Sequence, residues 1–260
     1  MNEEFVRTLE FEKDIARAAS TLVRDVGVGT LYVNSDLPGV WDRNFLRLDE
    51  RASAHTAEYL DGLVEELLGA VGAKHRKIYV AEDHVTPEML AGFTSFGWER
   101  SLLATMAHRN RGFRSDLQVN EVDADAYAPF ERKCLDESPP SDVSVKEQIV
   151  SLVPLMHRAA RGRFFVVSEE GEMVAGCHLY SDGEVAQVEN VTTLETYRGR
   201  GLASAVVARA VDEAIAEGNS LTFLLVDDGG GPKTLYERIG FETIGRTVEL
   251  FREPPNEAAS

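Results

Sequence analysis

The sequence predicts an α+β protein built from two units in tandem. Three observations lead there. The chain has 260 residues, more than one ordinary domain and less than two large ones. Its apolar residues switch repeatedly between the two-residue period of strands and the 3.6-residue period of helices. The first half also carries an echo of the second. Hydrophobic residues make up 43% of the chain and charged residues 27%, which supplies folded cores and argues against disorder.

The second half is the clearer one. Leu117–Val122 alternates apolar and polar as a strand does. Residues 124–135 and 144–160 have helical spacing, with Pro154 expected to kink the second helix. Phe164–Val167 predicts a buried strand and Glu170-Gly171 a turn. Met173–Tyr180 and Val185–Thr193 predict two strands joined by a hairpin turn at Asp182-Gly183. From Gly201 to Glu217 small and aliphatic residues line one helical face, and Gly218 supplies a stop. Leu221–Val226 predicts a strand, 232–239 a short helix ended by Gly240, and Phe241–Phe251 a final strand. Antiparallel strands thus come first, followed by a βαβ crossover.

The echo lies upstream. Ile78–Ala81 predicts a strand, Pro87–Phe96 a helix, and Gly97-Trp98-Glu99 answers Gly240-Phe241-Glu242 at an offset of 143 residues. That offset sets Phe93 opposite Tyr236, and upstream the helix Thr56–Val71 matches 201–217 in position, with Arg51-Ala52-Ser53-Ala54 where the later copy has its glycine-rich turn. The basic stretch Arg109–Asp116 predicts a linker, giving a degenerate domain at 1–113 and a second domain at 114–260. Pro254–Ser260 predicts a disordered tail.

Charge narrows the partners. Lys and Arg number 27 and Asp and Glu 44, for a net charge of −17. Such a chain repels phosphate backbones and anionic lipid, so neither nucleic acid nor membrane is expected, while cations such as amines are attracted. No run approaches the ~20 apolar residues of a membrane helix, and Met1-Asn2-Glu3-Glu4 does not open a secretory signal. Two cysteines, Cys134 and Cys177, build no disulfide framework and suit a reducing, cytoplasmic location. The six histidines never fall three or four apart, so no metal site is expected.

The chemistry concentrates at Arg198-Gly199-Arg200-Gly201-Leu202-Ala203-Ser204, between a strand and a helix. Glycines there let backbone amides converge on one point, and the helix aims its positive dipole end at the same point. A pyrophosphate is the natural guest, and a plain tight turn the alternative. A dinucleotide site would need Gly-x-Gly-x-x-Gly and an acid about 20 residues on. Ser204 and Asp227 come near that, but Gln187–Thr193 is too polar for a strand buried on both faces.

Leu235-Tyr236-Glu237-Arg238-Ile239-Gly240-Phe241 follows by one strand and one helix. Together with Arg198-x-x-Gly201-x-Ala203, this motif resembles the GNAT superfamily of N-acetyltransferases. The resemblance runs over 117–252 and implies the GNAT fold, a mixed central sheet flanked by helices, here in two tandem copies with a degenerate first one. It implies acetyl-CoA as cosubstrate, with pantetheine added as a strand along Val191, Thr192 and Thr193. It puts the pyrophosphate on the amides of Gly199, Arg200, Gly201, Leu202, Ala203 and Ser204, and makes Tyr236 the acid that protonates the departing thiolate.

A base must also free the acceptor amine. Glu189 is the candidate, expected by alternation to share a face with Gln187, Val191 and Thr193. The family often keeps its carboxylate nearer position 187, here Gln187, and an Asn at position 229, here Gly229 within a triple glycine. Acceptor choice in the family lies largely in the segment that is Asp136–Asp142 here, whose three carboxylates would attract a cationic amine or are simply a solvated loop. His178 and Cys177 are assigned no role. The expected activity is acetyl transfer from acetyl-CoA to a primary amine on a small molecule; the alternative is a non-catalytic acetyl-CoA-binding sensor or regulatory module.

Overall fold

The computed structural model describes residues 1–109, 112–137 and 143–253. The chain begins with helix α1 (Glu3–Ala18) and strands β1 (Leu22–Asp25), β2 (Gly29–Val33) and β3 (Phe45–Leu48). Helix α2 (Ala57–Ala70), β4 (Arg76–Ala81), α3 (Pro87–Ser95) and the long strand β5 (Glu99–His108) follow. The second half runs β6 (Asn120–Val122), α4 (Ala124–Glu137), α5 (Val143–Ala159), β7 (Arg163–Glu169), β8 (Glu172–Ser181) and β9 (Val185–Thr193). It ends with α6 (Leu202–Ala216), β10 (Leu221–Asp227), α7 (Pro232–Ile239) and β11 (Phe241–Arg252). The expected tail, Pro254 to Ser260, lies outside the described residues, as do 110–111 of the expected linker.

Packing divides the chain differently from the linear boundary expected at 113/114. Met1–Ala18 and Ala104–Gly245 form a larger compact unit, and Ala19–Leu103 with the segment from Arg246 onward form a smaller one. The physical reason is that β5 and β11 each contribute to both cores. Ala104 and Met106 of β5 are fully buried in the larger unit, whereas Leu102 borders the core of the smaller. Phe241 belongs to the larger core, and Val248 and Leu250 to the smaller. Helix α1, for which the sequence reading assigned no element, completes the larger unit. Its Phe11 meets Phe223 of β10 edge to face, centroids 5.8 Å apart.

In the smaller unit the strand order is β1-β2-β3-β4-β11. β3 and β4 pair in parallel, Leu46 opposite Ile78, with α2 as the crossover, and Thr247–Arg252 of β11 pair antiparallel with β4, β11 being followed in the sheet by β5. Helices α2 and α3 start where Thr56 and Thr86 cap them, each hydroxyl accepting from an amide three residues on. The turn before α2 is filled by the chain's own groups. Asp49 accepts from the Arg51 amide at 2.9 Å, and the Arg51 guanidinium binds Asp49 at 2.6 Å and Asp25 at 3.1 Å.

In the larger unit the order is β11-β5-β10-β9-β8-β7-β6, with β9 and β10 parallel and the pairs β9–β8, β8–β7 and β7–β6 antiparallel. β6 is shorter than the alternation of 117–122 suggested, because only three of its residues pair with β7. The turn at Glu170-Gly171 puts both residues at positive φ, as a tight two-residue hairpin requires. One face of the sheet takes α6 through Leu202, Val206, Ala210 and Ala214, and the other takes α4 through Tyr127 and Phe130. Each unit repeats one detail. Phe93 meets Trp98 edge to face at 5.2 Å in the smaller unit, and Tyr236 meets Phe241 likewise at 6.1 Å in the larger.

Each unit also buries a neutral histidine. Burial holds His75 down to about 4 and His178 down to about 3, against an ordinary value of 6.5. The folded rings therefore refuse protons that the unfolded chain accepts, and stability falls as pH drops below about 6.5. The melting temperature should decline between about pH 6.5 and about pH 5, where ordinary carboxylates have largely finished titrating. A flat profile across that window would show that these rings charge in the folded protein.

Candidate active site

The site is built where β9 leaves β10. The two strands pair in parallel at Leu221–Val185, Thr222–Ala186 and Phe223–Gln187, and the register ends there. Beyond Gln187, β9 continues against β8 alone. His178 lies opposite Glu189, but Gly176 lies opposite Thr192, so two steps on β8 match three on β9. The extra residue is accommodated at Asn190, whose φ of 50° lies in the left-handed region that Asn tolerates better than most side chains.

This bulge corrects one expectation. Strict alternation puts Glu189, Val191 and Thr193 on one face. With one residue inserted, Thr192 shares the face of Glu189, and Val191 and Thr193 turn to the other. Gln187 and Glu189 do share a face, the Gln187 amide donating to Glu189 Oε2 at 2.7 Å.

At the C-terminal end of β9 the chain turns through residues 195–197 into the glycine-rich loop. Gly199 and Gly201 both have φ of 78°, a conformation that strains any residue with a Cβ. A Cβ built on either would meet nothing within 4 Å, so open space lies over the turn. Gly201 stands just before α6 with no side-chain cap, and the first amide to bond backward is that of Ala205, to Gly201 O at 3.1 Å. The amides of Leu202, Ala203 and Ser204 are thus the unpartnered first turn of a helix. The two arginines hold the loop. Arg198 Nε donates to Thr193 O at 3.2 Å, and Arg200 pairs with Glu169 at 2.7 Å.

Tyr236 lies on α7, one turn before the helix ends at Gly240. It is largely buried, and among the described residues its hydroxyl makes no hydrogen bond. Burial pushes its phenol up to about 12, and the nearby Glu189 charge and Cys177 push the same way. Glu189 and Tyr236 are therefore electrostatic neighbours, although they come from different elements. The triple glycine before α7 is a turn, with Asp227 accepting from the Gly229 amide at 2.9 Å and its carbonyl from Gly230 at 3.0 Å.

Residues that the sequence reading left without a role surround Asn190. Its Nδ2 donates to Glu131 Oε2 at 2.7 Å and lies 3.3 Å from His178 Nε2. His178 Nδ1 lies 2.9 Å from the Tyr180 hydroxyl. Glu131 is 7% exposed and His178 4%. Burial raises the Glu131 carboxyl, and the Asn190 bond lowers it by less. One sequence signal was available. An Asn inside a β-rich run is a poor strand former and a good left-handed residue. The pairing with Glu131, 59 positions away, had none.

Of the acidic segment proposed to attract an acceptor, 138–142 lie outside the described residues. Asp136 pairs with Lys146, and Glu137 accepts from the Glu195 amide at 2.8 Å. Cys177 is buried, its thiol pushed up out of reactive range by burial. Among the described residues no group of three or more His, Cys, Asp or Glu is disposed to hold a metal, and no helix is long and apolar enough to cross a membrane.

Residues 119–241 match the model of the Acetyltransferase (GNAT) family. A functionally unknown conserved protein from Staphylococcus epidermidis has a similar structure, with a TM-score of 0.73 and 12% identity over 89% of this chain and 93% of its own. A GCN5-related N-acetyltransferase from Kribbella flavida gives 0.66 and 18% over 98% and 97%. Another from Sphaerobacter thermophilus gives 0.60 and 17% over 94% and 86%. At these identities the likeness is one of fold. No curated protein matches the sequence.

Gly176 shows how closely the site is fitted. A Cβ there would stand 2.9 Å from the Tyr127 hydroxyl and 2.9 Å from the Phe130 ring. Gly176→Ala should lower stability by about 1–3 kcal/mol, as overpacking of a filled core does. Chemical denaturation measures it, and an unchanged midpoint would mean that the two rings swing aside freely.

Proposed function

We propose that the larger unit transfers an acetyl group from acetyl-CoA to a primary amine by direct attack within a ternary complex. The observation that carries this reading is the parting of β9 from β10 directly before a helix start with open space above two left-handed glycines. Two further features fit the cosubstrate. The Thr193 hydroxyl is buried and has no partner, on the segment Val191–Thr193 along which pantetheine would lie. In this reading the amides of Gly199 to Ser204 donate to the pyrophosphate.

When bound, acetyl-CoA supplies an activated thioester carbonyl. The chain's own residues then have three tasks. The glycine turn and the β9 edge hold and orient. Glu189 takes the proton of the incoming ammonium, so that the nitrogen lone pair is free to attack. Tyr236 keeps a proton on its hydroxyl for the sulfur that leaves. A phenol at about 12 is a weak acid in water, but burial raises a thiolate's proton affinity as well, so donor and acceptor stay matched in the same dry site.

The smaller unit is a degenerate copy in this reading. Its helix start is closed by Thr56, Asp49 and Arg51, and Phe93 stands where the larger unit has Tyr236. The acceptor is a small amine, drawn by the acidic surface. The absence of a metal requirement and a cytoplasmic location belong to the same proposal.

Acetyl-CoA should raise the melting temperature of the protein, and NAD should not. No shift with acetyl-CoA would remove the cosubstrate from the reading. Tyr236→Phe should lower turnover by at least about tenfold while acetyl-CoA still binds, as loss of one acid does. Because the phenol stays protonated to about 12, the wild-type rate should not fall from its ionisation anywhere below about pH 10. An alkaline decline that vanishes in Tyr236→Phe would overturn that assignment. Glu189→Gln should lose or displace the acidic limb of the pH–rate profile, and an identical profile in that variant would exclude Glu189 as the base.

A further inference from the structure

Asn190 does more than tolerate a kink. The bulge inserts one residue into β9 three residues after its last pairing with β10, at Gln187, and directly before Val191–Thr193. A side chain at φ of 50° persists only where its surroundings hold it. Here the surroundings come from two other elements. Glu131 of α4 accepts one hydrogen of the Asn190 amide at 2.7 Å, and His178 of β8 receives the other at 3.3 Å. With Nε2 accepting, the His178 proton sits on Nδ1 and is donated to the Tyr180 hydroxyl at 2.9 Å.

The clamp is itself fixed in place. The Tyr127 ring lies 4.9 Å from the His178 ring, edge to face, and covers Gly176, the residue opposite Thr192. Tyr127 and Glu131 are one helical turn apart on α4, so the same face of that helix packs the imidazole and binds the amide. Burial of Glu131 and His178 keeps water from competing for the Asn190 hydrogens.

We propose that Asn190 is a positioning residue: clamped by Glu131 and His178, it fixes the left-handed kink that turns the Val191–Thr193 edge away from β10 and sets that edge for the coenzyme. The inference rests on the acetyl-CoA reading above. Asn190 acts through the backbone it shapes, not through contact with substrate. The edge is therefore formed before the cosubstrate arrives, and binding does not have to order it.

The test compares acetyl-CoA dissociation constants by calorimetry with kcat at saturating acetyl-CoA, on full-length protein whose melting temperature is recorded alongside. Asn190→Ala, which strains the kink and removes the clamp, should weaken acetyl-CoA binding by about tenfold or more. Its kcat should stay within about threefold of wild type. Asn190→Gly permits the kink without strain and should recover part of the lost affinity. Glu131→Gln keeps an oxygen that accepts from Asn190 and should lose less affinity than Glu131→Ala. If Asn190→Ala does not fold, the Glu131 pair and Asn190→Gly decide the matter by the same affinities. Unchanged affinity in the alanine variants overturns the proposal. Equal losses in Asn190→Gly and Asn190→Ala overturn it too, because they would mean that the side chain touches substrate. Wild type that fails to bind acetyl-CoA has its own signature and defeats the underlying reading as well.

Discussion

The parting of β9 from β10 is the constraint on which the rest of the larger unit depends. Parallel neighbours ordinarily stay paired, because every unpaired amide and carbonyl in a sheet interior must find another partner. Here the pairing ends at Gln187 and Phe223, and the backbone beyond is committed elsewhere. The inserted residue at Asn190 serves this by changing the direction of β9, and it also exchanges the faces of the side chains that follow. One local irregularity thus settles which groups face α4, which face α6, and where the strand leaves an opening.

Electrostatics follow from the same arrangement. In a chain of net charge −17 an anion would be expected to find little welcome. The glycine turn offers it partial positive charge from backbone amides and a helix start, which the surrounding carboxylates cannot neutralise by pairing. The arginines of the turn are occupied with Thr193 and Glu169, so they shape the cradle instead of lending it free charge. Burial and the nearby Glu189 charge strengthen the hold of the Tyr236 phenol on its proton, which keeps a donor in place at neutral pH.

What the sequence disclosed and what it hid have physical reasons. The helices and strands of the second half were legible because their boundaries carry chemistry of their own: Gly218 and Gly240 at left-handed helix ends, Asp182-Gly183 in a hairpin. Gly199 and Gly201 were legible as turn residues because few others adopt their left-handed backbone. The division of β5 and β11 between two cores was not. Phe241–Phe251 reads as one continuous strand, and nothing in its sequence separates the part buried with Ile239 from the part buried with Ile78. Helix α1 is rich in charge, and its apolar stripe is visible only once Phe11 has Phe223 to pack on. Glu131 and His178 look like surface residues until the bulge gives them Asn190.

The shared strands have a consequence for how the protein is made. The smaller unit takes most of its residues from the first hundred of the chain, yet Val248 and Leu250 complete its core and Thr247–Arg252 close its sheet. A ribosome delivers those residues after the rest of the two units. The smaller unit must therefore wait, with the edge of β4 unpaired, while the whole larger unit is synthesised. An unpaired edge strand invites association with other chains, and the delay lengthens that exposure. The acidic character of the chain, which keeps nascent copies apart by repulsion, acts during this interval as well as in the finished protein.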